Sequence, residues 1–138
     1  MSGSYSQSAI VANVSTELSH QFTAWQKFLS TGPLAFLPLG NGESSIVWSC
    51  DSDLATDLLA MGDDDFCCYL GQAVDGRMGE VIGIGQRLSF PLSWHSCEQW
   101  LSHRVLLIGD AAHGVHPLAG QGVNLGFSDV ALLIDIDR

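Results

Sequence analysis

Residues 9–16 alternate Ile10, Ala12 and Val14 against Val11, Asn13 and Ser15. A period of two predicts a half-buried strand there. Residues 22–29 suit either a strand or a short helix, since Trp25 and Phe28 fit both. After Gly32-Pro33, residues 34–39 read as a strand with Pro38 at an edge or bulge. Asn41-Gly42 predicts a hairpin turn because both residues accept positive φ. Residues 45–50 follow as its partner strand, with Ile46, Trp48 and Cys50 on one face. Asp51 or Ser52 can then cap a helix reaching Met61, burying Leu54, Leu58 and Met61. Asp63, Asp64 and Asp65 favour the start of a second helix running to about Val74. The glycine-rich residues 75–85 read as a loop, and residues 86–92 as a strand with Leu88, Phe90 and Leu92 on one side. The pattern changes at residues 105–108, a continuous apolar run of the kind that marks a parallel strand covered on both faces. A glycine-rich turn follows, then a helix carrying Val123, Phe127, Val130 and Ile134 at helical spacing.

The expected fold is therefore α+β. A mostly antiparallel sheet with two helices occupies residues 1–103, and one strand-loop-helix unit of α/β character occupies residues 104–138. At 138 residues, 46% of them hydrophobic and 14% charged, the chain can bury a core and is not a disordered tail. Fifteen acids against five bases give a formal charge of −10. Lys27 and four arginines cannot build a phosphate-tracking patch, which excludes nucleic acid as the expected partner and argues against electrostatic docking on anionic lipid. Cys50, Cys67, Cys68 and Cys97 lack CxxC or metal-ligand spacing, so they are expected as reduced thiols in a cytoplasmic setting. No secretory signal opens the chain, and no uncharged run approaches the roughly 18 residues of a membrane span.

The stretch with chemical content is residues 109–126. A buried strand ending in Gly109-Asp110 would put a carboxylate at the carboxyl edge of a sheet, where α/β proteins hold ligands. Such a carboxylate accepts hydrogen bonds from ribose-type hydroxyls. Gly114, Gly120 and Gly122 remove side chains where backbone must approach a flat or charged ligand. A helix opening near Gly122 would aim unpaired N–H groups and a positive dipole end at that ligand. His113 and His116 form an HxxH pair, but no further ligands of a metal site lie nearby in sequence.

The string GDAAHGVHPLAGQGVNLG resembles the second flavin-binding motif of class A flavoprotein aromatic hydroxylases, the para-hydroxybenzoate hydroxylase type. Within that group, GPLAFLPL followed by SSIVWS is similar to the ubiquinone-biosynthesis hydroxylases. Tyr5, Gln7 and Ala9-Ile10-Val11 fit the strand preceding that pair, and Phe90-Pro91-Leu92 fits the strand before the flavin motif. The resemblance covers nearly the whole chain. It implies that Asp110 binds ribityl or ribose hydroxyls of FAD and that Pro117 lies at the flavin ring. It implies further that Gly120, Gln121, Gly122, Val123 and Asn124 run along the ring's pyrimidine edge, where a helix start suits negative charge.

The implied activity is monooxygenation: hydroxylation of a hydrophobic polyprenylated phenol with FAD, NAD(P)H and O2. The flavin carries the hard step, so no acid or base of this chain is assigned as catalytic. Trp48, Phe36 and Phe90 could line a substrate face, although ordinary core packing accounts for each more simply. The family's opening GxGxxG unit, its acidic ribose ligand and its aspartate-glycine fingerprint have no counterpart here. Gly83-Ile84-Gly85 is the nearest approach, and Arg87-Leu88 stand where glycine is required. The chain is accordingly read as a fragment lacking the N-terminal dinucleotide-binding unit, expected to hold FAD weakly or not at all by itself. Peripheral membrane or biosynthetic-complex association and self-association through exposed sheet edges are the partner readings left open. The rival functions are a non-catalytic interaction module and, less well supported by the GPLA…VWS hairpin, a halogenase or reductase relative.

Overall fold

The computed structural model of the chain describes residues 1–116 and 120–136. Two compact units make it up, Ser6–Pro91 and the combination of Met1–Tyr5 with Leu92–Arg138.

The first of these is built on four long strands: β1 (Ser2–Thr16), β2 (Trp25–Leu29), β3 (Gly32–Pro38) and β4 (Ser44–Asp51). They pair antiparallel in the order β2-β3-β4-β1, with Ile10 opposite Trp48 and Leu34 opposite Trp48 on its other side. The alternation read from the sequence has its physical cause here. Ile10, Phe36, Ile46 and Trp48 all point to one face and are at most 1% exposed. Over that face lie α1 (Ser52–Ala60) and α2 (Asp63–Ala73), which bury Ala55, Leu58, Phe66 and Leu70 against it. Trp48 stacks on Tyr69 at 5.7 Å between ring centroids and meets Phe66 edge-on at 6.4 Å. Trp48 and Phe36 are thus core residues.

Local chemistry closes these elements. The β3–β4 connection needs only one positive φ, at Gly42 (+88°), and Asn41 contributes its Oδ1 as acceptor for the Glu43 N–H. Asp51 occupies the N-cap place of α1 but makes no side-chain capping bond. Three acids fill the first turn of α2, where the helix dipole favours them. Arg87 closes the other end of α1: it donates to the carbonyls of Leu58 (2.8 Å) and Met61 (2.7 Å), and pairs with Asp63 at 2.8 Å.

Several expectations change. The stretch 75–85 is not all loop, since β5 (Val81–Ile84) pairs antiparallel with the end of β1. Its glycines masked a strand that is held by burying Val81. The strand expected at 86–92 is β6 (Leu88–Ser96), and only Leu92 of its three apolar residues is buried; Leu88 and Phe90 are 46% and 52% exposed. Phe22 falls outside β2 and is exposed.

In the other unit, the first residues of β1 run beside the end of β6, with Gly3 against the Trp94 ring. Residues 105–108 do not form a parallel strand. Only Val105–Leu106 (β8) pairs as a strand, antiparallel with β7 (Leu101–Ser102). A parallel strand needs parallel neighbours and covering layers; among the described residues the one partner of β8 is the antiparallel β7, and Val105 is 62% exposed. A 3-10 turn (Gly109–Ala111), the short β9 (His113–Gly114) paired with β6, and α3 (Gln121–Ile136) complete the unit. The α+β expectation stands: a mostly antiparallel sheet with two helices, then a strand-turn-helix segment.

Candidate functional site

Residues 109–114 fold as a turn clasped between β6 and α3. Gly109 takes φ +56°, a left-handed conformation that glycine adopts without a Cβ penalty, and so reverses the chain sharply before Asp110. The helix packs close on this turn: a Cβ added to Gly126 would stand 3.4 Å from the Gly109 Cα. A second approach lies one turn earlier, where a Cβ on Gly122 would stand 3.7 Å from Asp110 Oδ1. The Asp110 carboxylate therefore faces the first turn of α3.

Hydrogen bonds fix this arrangement from both sides. From β6, the His95 ring bonds the Asp110 carbonyl, and just past the strand the Cys97 N–H donates to the Ala112 carbonyl at 2.8 Å. From α3, Asp129 Oδ2 accepts from the Gly109 N–H at 2.8 Å and bonds His113 Nε2 at 2.8 Å. The side chains of Asp129 and His113 are each 15% exposed, and the Trp100 ring covers His113 at 5.2 Å. The Gly109 amide bond first, and the His113 bond second, hold the Asp129 carboxyl below the usual carboxylate range.

Of the residues singled out by sequence, Asp110 and Gly120 through Asn124 come together at this turn and helix start, while Pro117 lies outside the described residues. Gly120 takes φ +63° with open space where a side chain would stand. The N–H groups of the first turn of α3 have no partner within the helix. One side of the turn thus offers a carboxylate acceptor and the other a row of backbone donors with a positive dipole end. That donor set fits a ligand carrying hydroxyls next to an electron-rich carbonyl edge, as flavin and its ribityl chain do. His113 spends Nε2 on Asp129, so half of the HxxH pair serves the turn itself. Sequence reasoning missed Asp129 and His95. Asp129 had left one signal, an acid set between the apolar Phe127 and Val130 of the helix.

Three hollows lie in the Ser6–Pro91 unit among the described residues, none lined by a residue of the glycine-rich stretch; one of about 400 Å³ sits beside Leu59, Asp63 and Arg87. A cleft of about 360 Å³ has an apolar floor at Leu34, Phe36 and Met78, with Arg77 stacked 4.0 Å over Trp25 at its rim. A groove of about 890 Å³ is rimmed by acids, among them Glu17, Asp63, Asp64 and Glu80. All four cysteines are free, and burial, with Asp51 adding to it, pushes the Cys50 thiol up to about 11. No helix among the described residues is long and apolar enough to cross a membrane.

Comparison with known proteins identifies relatives and a family for the chain. Ubiquinone hydroxylase UbiL of Rhodospirillum rubrum is 43% identical over 131 residues, covering 95% of this chain and 30% of its own length. The mitochondrial ubiquinone biosynthesis monooxygenase COQ6 of Danio rerio is 40% identical, covering 96% of this chain and 34% of its own. The chain thus spans roughly a third of the length of the curated relatives it matches. In fold it is similar to Pseudomonas aeruginosa PqsL in complex with 2-aminobenzoylacetate, with a TM-score of 0.76, 23% identity, and coverage of 98% of this chain and 38% of that one. The flavin-dependent halogenase CmlS shares the fold at a TM-score of 0.63 and 19% identity, covering 88% of this chain and 24% of that one. The profile of the FAD binding domain matches residues 4–136, so the chain belongs to that family.

Proposed function

We propose that this chain forms part of an FAD-dependent monooxygenase that hydroxylates a polyprenylated phenol in ubiquinone biosynthesis, using NAD(P)H and O2. The observation carrying this reading is the convergence of the Asp110 carboxylate and the first turn of α3 across a glycine turn. The names borne by the UbiL and COQ6 relatives support the choice of substrate class. In this reading Asp110 accepts hydrogen bonds from ribityl or ribose hydroxyls, and Pro117 stands at the flavin ring. Gly120, Gln121, Gly122, Val123 and Asn124 present backbone to the pyrimidine edge. Bound flavin supplies the oxygen-activating and electron-accepting chemistry; the chain's own residues bind it, orient it and limit water beside it. Residues 1–103 take the substrate-side role and 104–138 the flavin-side role. Peripheral association with a membrane or a biosynthetic complex accords with a prenylated substrate.

A chimera tests the assignment, with this chain replacing the matching third of the Rhodospirillum rubrum relative. Restored NAD(P)H-dependent hydroxylation of a prenylated phenol supports it. A folded, flavin-loaded chimera inert on every such phenol sinks the substrate class.

A second reading, a non-catalytic interaction module, draws on one observation. No residue of α3 is buried, and Val123, Phe127 and Ile136 are 63%, 68% and 82% exposed. Apolar surface of that extent favours association. Sedimentation velocity distinguishes the two: concentration-dependent self-association without flavin favours the module, and a clean monomer counts against it.

A further inference from the structure

We infer that Asp129 is the positioning residue of the flavin-facing turn, setting the Asp110 carboxylate at a fixed place relative to the start of α3. The inference rests on the flavin reading above and adds a residue that touches no ligand in it. One oxygen, Asp129 Oδ2, holds both ends of the turn: the N–H of Gly109, just before Asp110, and the ring of His113, beyond Ala111 and Ala112. Asp129 itself sits on α3, the helix whose first turn forms the opposite wall. A single carboxylate therefore ties the acceptor wall to the donor wall. Gly109 makes this tie necessary, because a left-handed glycine is the freest point of the backbone and nothing in its own side chain restrains it. The Gly109–Gly126 approach allows the helix close enough for Asp129 to reach. On the far side, His95 holds the Asp110 carbonyl, so the turn is tied to β6 on one side and, through Asp129, to α3 on the other.

The test uses the 138-residue chain with an isotope label and two readouts. Without ligand, Asp129→Ala accelerates amide exchange at Gly109 and at residues 110–114 by about tenfold or more, while the amides of β3, β4 and α2 keep their rates. With FAD added, binding is read from amide shifts at residues 120–124. Asp129→Ala weakens it about fivefold or more, but by less than about twofold when Asp110 is already alanine, because the two residues act through one contact. Asp129→Asn, which keeps one acceptor oxygen, recovers part of the exchange protection. Unchanged exchange at Gly109, or losses that add fully in the double variant, overturn the inference. A wild-type chain that binds FAD with no shift at residues 109–126 overturns the flavin reading instead, and the exchange experiment still reports whether Asp129 braces the turn.

Discussion

Gly32, at the head of β3, lies against the carbonyl of Ser49 on β4 so closely that a Cβ on it would overlap that oxygen. Its φ of +136° is in the region that L side chains rarely adopt. The glycine that opens the GPLA motif is therefore required by strand packing. Gly32→Ala should lower unfolding stability by about 2 kcal/mol or more, because strain and overlap act together. Gly40→Ala, where a methyl group meets nothing within 4 Å, should stay within about 0.5 kcal/mol of wild type in the same urea titration. Equal midpoints for the two variants would contradict this.

Arg87 should matter more than a half-exposed strand-end residue ordinarily does. Its side chain is 12% exposed and joins the end of α1 to the start of α2, through two carbonyls and Asp63. Arg87→Ala should cost about 1.5–3 kcal/mol, the range for hydrogen bonds to a charged group. Arg87→Lys should recover less than half of the loss, since a point charge cannot reach three acceptors in a planar fork. Full recovery by lysine in thermal unfolding would show that charge alone is at work.

Trp48 and Phe90 should behave oppositely. Trp48 is 1% exposed between the sheet and α2, so Trp48→Ala should cost about 3–5 kcal/mol. Phe90 is 52% exposed, and Phe90→Ala should change stability by no more than about 0.5 kcal/mol. A large loss from Phe90→Ala in calorimetry would place it in a core instead.

The strands of the Ser6–Pro91 unit were legible because their cause is local. Ile10, Ala12 and Val14 alternate in sequence because the same residues alternate across the sheet. The glycine-rich turn was legible too, since Gly109 and Gly120 both take the positive φ that only glycine adopts freely. What failed was non-local. Val81 reads as loop until β1 is beside it, and the apolar run from Val105 looks covered until its neighbours are counted. The partners of Asp129 were hidden for the same reason, lying 20 and 16 residues earlier in the chain. Only folding brings them within reach.

Acid should act on the chain through Asp129. Its carboxyl titrates below the usual carboxylate range, so it stabilises the fold above the unfolded carboxylate value of about 3.9. That stabilisation disappears as pH falls through its own lowered value. The melting-temperature gap between wild type and Asp129→Asn should be open at about pH 5 and close as the pH is lowered from there. A gap independent of pH across that window would contradict the assignment.

Thiol chemistry should separate the cysteines. Cys50 is fully buried with its thiol pushed up to about 11, so it stays protonated and shielded in the native chain. Cys68 is exposed. A thiol reagent at pH 8 should modify Cys68 promptly and Cys50 only at the rate of unfolding. Mass spectrometry showing equal labelling would count against the packing described.

The most direct test of the central claim, that residues 109–126 form one wall of a flavin site, is an amide-shift titration of the labelled chain with FAD and, separately, with AMP. Weak binding is expected, in which FAD moves the resonances of Asp110 and Gly120 through Asn124, and AMP leaves those of Gly120 through Asn124 in place. Shifts confined to the Ser6–Pro91 unit, or an AMP titration that reproduces those of FAD, would contradict it.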